Sequence, residues 1–299
     1  MVWSDGRYGM GKSEKGGWDD GGVDTLADWY APHVEAWGRV CAPSATVYLW
    51  GTAEGWARLD PVMRAAGWRY SRLLTWDKGD SIMGALPLSP EDRCTWPDVT
   101  EVCGVYQRDA WSPVAAREAV LTAGLRAADI DAAAGVACMA SRKWLGTDTQ
   151  ARSPSEVDLV RVRGVLPRLG WPWTLGRPRA EFACPLGVSN VWRHPIIPGS
   201  SRERVRLPGG ETHPCQKPLA FADRAIRAST RIGDTILDPF AGTNRIAVAC
   251  RRLPEEERRH AIGIEMDQRW LDAVRPSLVA EHGHTDQQGQ MGLFGRGRS

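Results

Sequence analysis

Two aspartate-bearing stretches near opposite ends of the chain carry side chains that could do chemistry. The first is SDGRYGMGK (4–12), where Asp5, Arg7 and Tyr8 surround a turn-forming glycine. Its residue types fit either a frayed terminus or half of an active site. The second runs TILDPFAGTN, IAVACRRL and AIGIEMD within residues 235–267. A short apolar run ending in Asp238, a tight loop, a helix and a second apolar run ending in acids make a βαβ unit. There the loop and helix start turn backbone N–H groups toward a ligand, and an acid after the next strand, here Glu265, can bind ribose hydroxyls. The loop is poor in glycine, and a generic α/β crossover shows the same pattern, so on spacing alone both readings stand.

The rest of the chain must position these stretches. Residues 24–41 have apolar positions at helical spacing, with Asp24 the expected N-cap. ATVYLWG (45–51) reads as a buried strand, 55–68 as a helix, and 69–79 and 100–108 as further strands. Such alternation predicts an α/β sheet of mostly parallel strands. Between about 111 and 183 the texture becomes Ala-rich and helical, broken at Gly124 and Gly135, and ends in a Pro/Gly/Trp loop. This segment reads as an insertion that adds helices and no strands. The α/β pattern resumes at 213–229, a loop leading into a helix, and continues through 233–253 and 258–274, and the polar, Gly-rich stretch 280–299 reads as a flexible tail.

Bulk properties narrow the class. The 38 basic and 36 acidic residues leave a net charge of +2, so any nucleic-acid surface must come from local clustering. The 15 tryptophans suit stacking platforms but more commonly fill cores. None of the seven cysteines pairs as Cys-x-x-Cys or clusters with histidine at zinc spacing, which fits reduced thiols and no metal. No apolar run is long enough to span a membrane, and the start lacks a signal-sequence pattern, so a cytoplasmic protein is expected.

DPFAG, a helix and AIGIEMD together resemble the S-adenosylmethionine-binding motif of DNA amino-methyltransferases, usually Asp-Pro-Phe-x-Gly-Ser-Gly-Thr. HPCQKPLAF (213–221) is similar to the His-Pro-x-Gln/Glu-Lys-Pro-Leu motif that precedes it in that family. The resemblance implies that Asp238, Phe240 and Gly242 contact the methionine part of the cofactor, with Ala241, Thr243 and Asn244 in the same loop. It places Glu265 on the ribose, and His213, Gln216 and Lys217 along the same pocket. Thr243-Asn244-Arg245 replaces the family's Ser-Gly-Thr. Asparagine is the non-glycine residue that best tolerates a left-handed backbone, so the turn can survive. Arg245 then either faces the cofactor carboxylate or is a solvated helix-start residue.

In the β-type arrangement of this family the catalytic motif, Asp-Pro-Pro-Tyr followed by glycine, comes first. Target recognition lies in the middle and the cofactor loop comes last. Asp5-Gly6-Arg7-Tyr8-Gly9 resembles that motif with both prolines replaced, and the likeness extends over 1–108 and 184–275. It implies a Rossmann-like methyltransferase sheet: a catalytic half (1–110), an inserted helical target-recognition region (111–183) and a cofactor-binding half (184–279). It also implies methylation of an exocyclic amino group in double-stranded DNA. Asp5 would hold the amine in line with the methyl group, Arg7 would stand beside it, and Tyr8 would offer the flipped base a stacking face. An aspartate heading the motif favours adenine N6 over cytosine N4, although Ser4 precedes it. Only residues 1–4 precede Asp5, so a very short strand carries the motif, which leaves open an upstream natural start.

Residues 125–146 resemble a helix-turn-helix whose second helix carries Ser141, Arg142 and Lys143 toward DNA before an anchoring Trp144. Asp131 stands where that motif has a small apolar residue, and an ordinary helical hairpin fits equally. Alternatives to a DNA methylase are a non-catalytic DNA-binding protein on the same scaffold and an amine methyltransferase for RNA or a small molecule. A homodimer and a cognate restriction enzyme are compatible with the family.

Overall fold

The structure, a computed structural model, describes residues 1–11, 20–42, 44–79, 98–108, 111–137, 139–146, 150–170, 172–173, 182–184, 187–213 and 215–279. The tail, most of the Pro/Gly/Trp loop, Cys94 and Cys138 lie outside these residues. Among those described, seven strands form one sheet: β1 (Val2–Ser4), β2 (Thr46–Gly51), β3 (Arg69–Asp77), β4 (Thr100–Gln107), β5 (Val191–Arg193), β6 (Thr235–Asp238) and β7 (His260–Gly263). They lie in the order β5-β3-β4-β2-β1-β6-β7. Pairing is parallel except that β4 runs antiparallel to both β2 and β3. The mostly parallel sheet expected from the sequence is present, with one reversed strand.

Strand alternation divides the core. Val2, Val47 and Leu49 face helices α1 (Leu26–Val40) and α2 (Ala53–Ala65), whereas Trp3, Tyr48 and Trp50 face α7 (Leu219–Ser229) and α8 (Arg245–Arg252). Burial on both faces explains why β2 reads as an unbroken apolar run. Two helix starts differ from expectation. Asp24 lies inside a short 3-10 turn (Val23–Thr25) leading into α1, so it does not cap that helix. Helix α2 starts earlier than its apolar pattern, because Thr52 accepts from Gly55 N at 3.0 Å.

Residues 111–173 carry α3 (Pro113–Thr122), α4 (Ala127–Ala134), α5 (Ala140–Leu145) and α6 (Glu156–Val165) around a core of their own. Three tryptophans anchor it: Trp111 donates to Trp144 O at 3.0 Å, and Trp173 to Ala116 O at 3.4 Å. No strand interrupts the described part of this stretch. Helix α9 (Gln268–Val279) closes the described chain.

Candidate active site

From β1 the chain crosses by α1 to β2 on one side; from β6 it crosses by α8 to β7 on the other. The crevice at the carboxyl ends of β1 and β6 is therefore the switch point of the sheet, where open α/β folds bind ligands. Asp5 follows β1 and Asp238 ends β6, so the two aspartate-bearing stretches are neighbours. A cavity of about 870 Å³ opens there, with both aspartates, Phe240 and Glu265 in its wall.

The loop after β6 is held by backbone and carboxylate together. Ala241 N donates to Ile264 O at 2.8 Å, and Gly242 N donates to Glu265 Oε2 at 2.6 Å. The other Glu265 oxygen accepts from Asp267 N at 2.9 Å. Asn244 has φ 49° and ψ 48°, the left-handed turn expected of it, and opens α8. Gly242, at φ 46°, leaves no room for a side chain: a Cβ there would stand 2.9 Å from His213 Nε2. Thr243 and Asn244 are buried. Asp238 is 2% exposed, and its Oδ1 has no partner among the described residues. Burial, aided by the charge of Asp5, pushes the Asp238 carboxyl well above the usual carboxylate range. His213 packs edge-on to Trp270, and its Nδ1 is also unpartnered. Burial first, then Lys217 and Arg204, lowers the His213 pKa to about 4, so the ring is neutral at pH 7.

Lys217 stands at the centre of the polar cluster beside Asp5. Its buried Nζ donates to Asp5 Oδ1 at 2.8 Å and to the Tyr8 hydroxyl at 2.7 Å, and pairs with Glu101 Oε2 at 3.1 Å. The Tyr8 hydroxyl lies 2.8 Å from Asp5 Oδ1 and 2.9 Å from Glu101 Oε2. Lys78 pairs with the outer oxygen of Glu101 at 2.8 Å. Burial opposes the Lys217 charge, but Asp5 and Glu101 together hold its pKa above the ordinary lysine value. The resemblance places Lys217 along the cofactor pocket; Lys217 does line the cavity, and its ammonium is committed to the Asp5 carboxylate. Tyr8, expected to offer a stacking face, is 7% exposed as a residue, and its hydroxyl is engaged by three polar groups. Trp29 and Phe240, with ring centroids 5.0 Å apart, are the less buried aromatic faces on the cavity.

The missing prolines have substitutes. Asp20, fully buried, accepts from Tyr8 N at 2.7 Å and from Met10 N at 2.5 Å, pinning the loop after β1. The Tyr30 hydroxyl donates to Arg7 O at 3.4 Å. Gly6 is required by close approach: a Cβ would meet the Tyr30 hydroxyl at 2.6 Å and the Phe240 ring at 2.8 Å. The Arg7 guanidinium lies over the Trp29 ring at 4.8 Å, at the edge of the cavity. Neither Asp20 nor Glu101 was singled out by type and spacing. Asp20 sits in a WDD triplet without periodicity, and Glu101 reaches the site because the reversed β4 brings its first residues beside the carboxyl ends of its neighbours.

Three other residues singled out from the sequence are tied by contacts within the protein, Gln216 and Arg245 while lining the cavity. Gln216 is clamped to the 203–205 loop, accepting from Val205 N at 2.9 Å and donating to Glu203 O at 2.7 Å. Arg245 is neither solvated nor free: it pairs with Glu203 at 3.1 Å on the cavity wall. Ser141 is fully buried and donates to Ala127 O at 2.9 Å, so it braces α4 against α5 and cannot reach DNA from this position. Arg142 and Lys143 are exposed. Asp131, out of place for a helix-turn-helix, accepts from Met139 N at 2.9 Å and Ser141 N at 2.8 Å and so caps α5.

The fold is shared with a solved DNA methyltransferase, and a stretch of about a third of the chain is similar in sequence to the DNA amino-methyltransferase family. Residues 177–275 match the family profile described as DNA methylase. Over 95 residues, 32% of the chain, it is 40% identical to type II methyltransferase M2.DpnII of Streptococcus pneumoniae. Over 93 residues, 31% of the chain, it is 32% identical to type II methyltransferase M.HpaI of Haemophilus parainfluenzae. The matches span 32% and 26% of those relatives' lengths, about a third or less. The solved PvuII DNA methyltransferase (cytosine-N4-specific) shares the fold at a TM-score of 0.52 and 12% identity, covering 95% of this chain and 80% of that one.

Proposed function

We propose that this protein transfers a methyl group from S-adenosylmethionine to an exocyclic amino group of a flipped base in double-stranded DNA, adenine N6 in preference to cytosine N4. The observation that carries the reading is the seating of Asp5, pinned through one oxygen by Lys217 and Tyr8, on the cavity walled by the DPFAG loop.

The residues present fit the cofactor. Unpartnered Asp238 Oδ1 and His213 Nδ1 line a cavity that also offers the Phe240 ring and the Glu265 carboxylate. Glu265 is suited to ribose hydroxyls and the 238–244 loop to the methionine part; Arg245, tied to Glu203, helps shape that wall. When bound, the cofactor supplies an electrophilic methyl on a sulfonium. Asp5 accepts an N–H of the target amine and aims its lone pair, and Tyr8 serves through its hydroxyl. Adenine N6 is supported by an aspartate at the head of the loop; Ser4, the residue that speaks for cytosine N4, is buried within β1. Helix α5, with Arg142 and Lys143, supplies the DNA-facing charge of the inserted region (111–183).

Methyl transfer to duplex DNA followed by nucleoside analysis tests this reading. N6-methyladenine is the expected product, N4-methylcytosine would revise the base, and no methylated nucleoside would refute the activity. The wider biological setting proposed is cytoplasmic, without a membrane anchor, and compatible with a homodimer or a cognate restriction enzyme. No helix among the described residues is long and apolar enough to cross a membrane.

A further inference from the structure

The second carboxylate behind the catalytic one has no role in the chemistry so far. Glu101 comes from β4, outside both motifs, yet it shares Lys217 and the Tyr8 hydroxyl with Asp5. We propose that Glu101 is a positioning residue for methyl transfer: acting through Tyr8 and Lys217, it keeps Asp5 basic enough to take up the proton that the target amine loses. The inference rests on the activity proposed above.

Counting hydrogens leads to this assignment. Tyr8 has one hydroxyl proton and two carboxylate oxygens within 2.9 Å, on Asp5 and Glu101, while Lys217 donates to the tyrosine oxygen. With Asp5 ionised, that proton can serve Asp5. Once Asp5 is protonated it can turn to Glu101, so no buried charge loses its donor. Asp5 Oδ1 holds both protein donors, which leaves Oδ2 for the amine. In the reaction the amine nitrogen forms a bond to the methyl carbon, the carbon–sulfur bond breaks and its electron pair stays on sulfur. The nitrogen then gives one proton to Asp5, which releases it to solvent after the product leaves.

Electrostatics agree with this division. Groups bear on Asp5 from every side: Lys217 from the loop before α7, Glu101 and Cys103 from β4, Asp238 from β6, Tyr30 from α1 and Tyr8 from its own loop, while Cys215 bears on Tyr8 and Lys217. Burial raises the Asp5 carboxyl, against Lys217 and with help from Glu101. Burial also works on Glu101, but Lys217 and Lys78 overcome it and hold that carboxyl low. Two linked carboxylates pushed in opposite directions mark a proton acceptor and a fixed counter-charge. Here the acceptor is the one that opens on the cavity.

The test is a carbon-13 carboxyl NMR titration of the full chain, with the Asp5 signal assigned by its loss in Asp5→Asn. Glu101→Gln removes the counter-charge and gives Lys217 wholly to Asp5. The Asp5 midpoint should fall, by about half a pH unit or more. Lys78→Met removes a cation from Glu101 without touching an Asp5 partner, and the midpoint should rise. The acid limb of single-turnover methyl transfer should move in the same two directions. An unmoved midpoint, or movement in the same direction in both variants, overturns the inference. Should Glu101→Gln not fold, the sign in Lys78→Met decides. Opposite shifts in a protein that methylates no duplex would refute the proposed activity, and with it the catalytic role, and keep only the coupling of Glu101 to Asp5. Methylation without the shifts would do the reverse.

Discussion

At Gly6 the chain departs from Asp-Pro-Pro-Tyr, and the structure gives the departure a physical basis. The loop is stiffened from outside, by two N–H bonds into Asp20 and by the rings of Tyr30 and Phe240 closing on Gly6. Gly6→Ala should therefore push the loop off Phe240 and slow methyl transfer at least about tenfold, an overpacking cost of roughly 1–3 kcal/mol. Steady-state kinetics with a duplex substrate would measure it. Asp20→Ala leaves two amides without acceptors. It should lower stability by about 1–3 kcal/mol in denaturant unfolding and reduce kcat more than cofactor affinity. His213 gives a pH signature. Its pKa is near 4 in the folded chain and 6.5 when exposed, so the unfolded state binds more protons between these values. Stability should fall as pH drops from 6.5 toward 4, and this slope should flatten in His213→Gln, read as Tm against pH.

At the scale of elements, the βαβ unit, the buried strands and the helices of the insertion were legible because periodicity and turn chemistry are local. Asn244 could be read as a left-handed turn residue for the same reason. What was not legible depends on partners distant in sequence. The reversal of β4 brings Glu101 to Asp5, and nothing in TEVCGVY announces it. Asp131 looked like a flaw in a DNA-reading motif because its partners, the amides of Met139 and Ser141, exist only once α5 has turned against α4. Ser141 was misassigned because a serine beside Arg142 and Lys143 looks the same in sequence whether it faces outward or into the core. The two cations and the serine should separate by experiment. Arg142→Ala with Lys143→Ala should weaken duplex binding and reduce the salt slope by about one for each cation that contacts a phosphate. Ser141→Ala should leave that slope unchanged and lower stability by about 1 kcal/mol or more. Fluorescence anisotropy across a salt series and thermal melts would show it.

The whole molecule brings two distant stretches to one crevice because β1 and β6 are neighbours whose crossovers leave in opposite directions. Net charge says little about DNA, and the proposed contact depends on local cations on the inserted helices. The account comes down to Asp5 acting in the cavity formed by the DPFAG loop. The most direct measurement is incubation of the protein and its Asp5→Ala variant with duplex DNA and methyl-labelled S-adenosylmethionine, followed by nucleoside analysis, with calorimetry of cofactor binding for both. The account predicts N6-methyladenine from the unaltered protein and none from Asp5→Ala, which still binds the cofactor. Equal methylation by both proteins, or no methylation by a protein that binds cofactor and DNA, would contradict it.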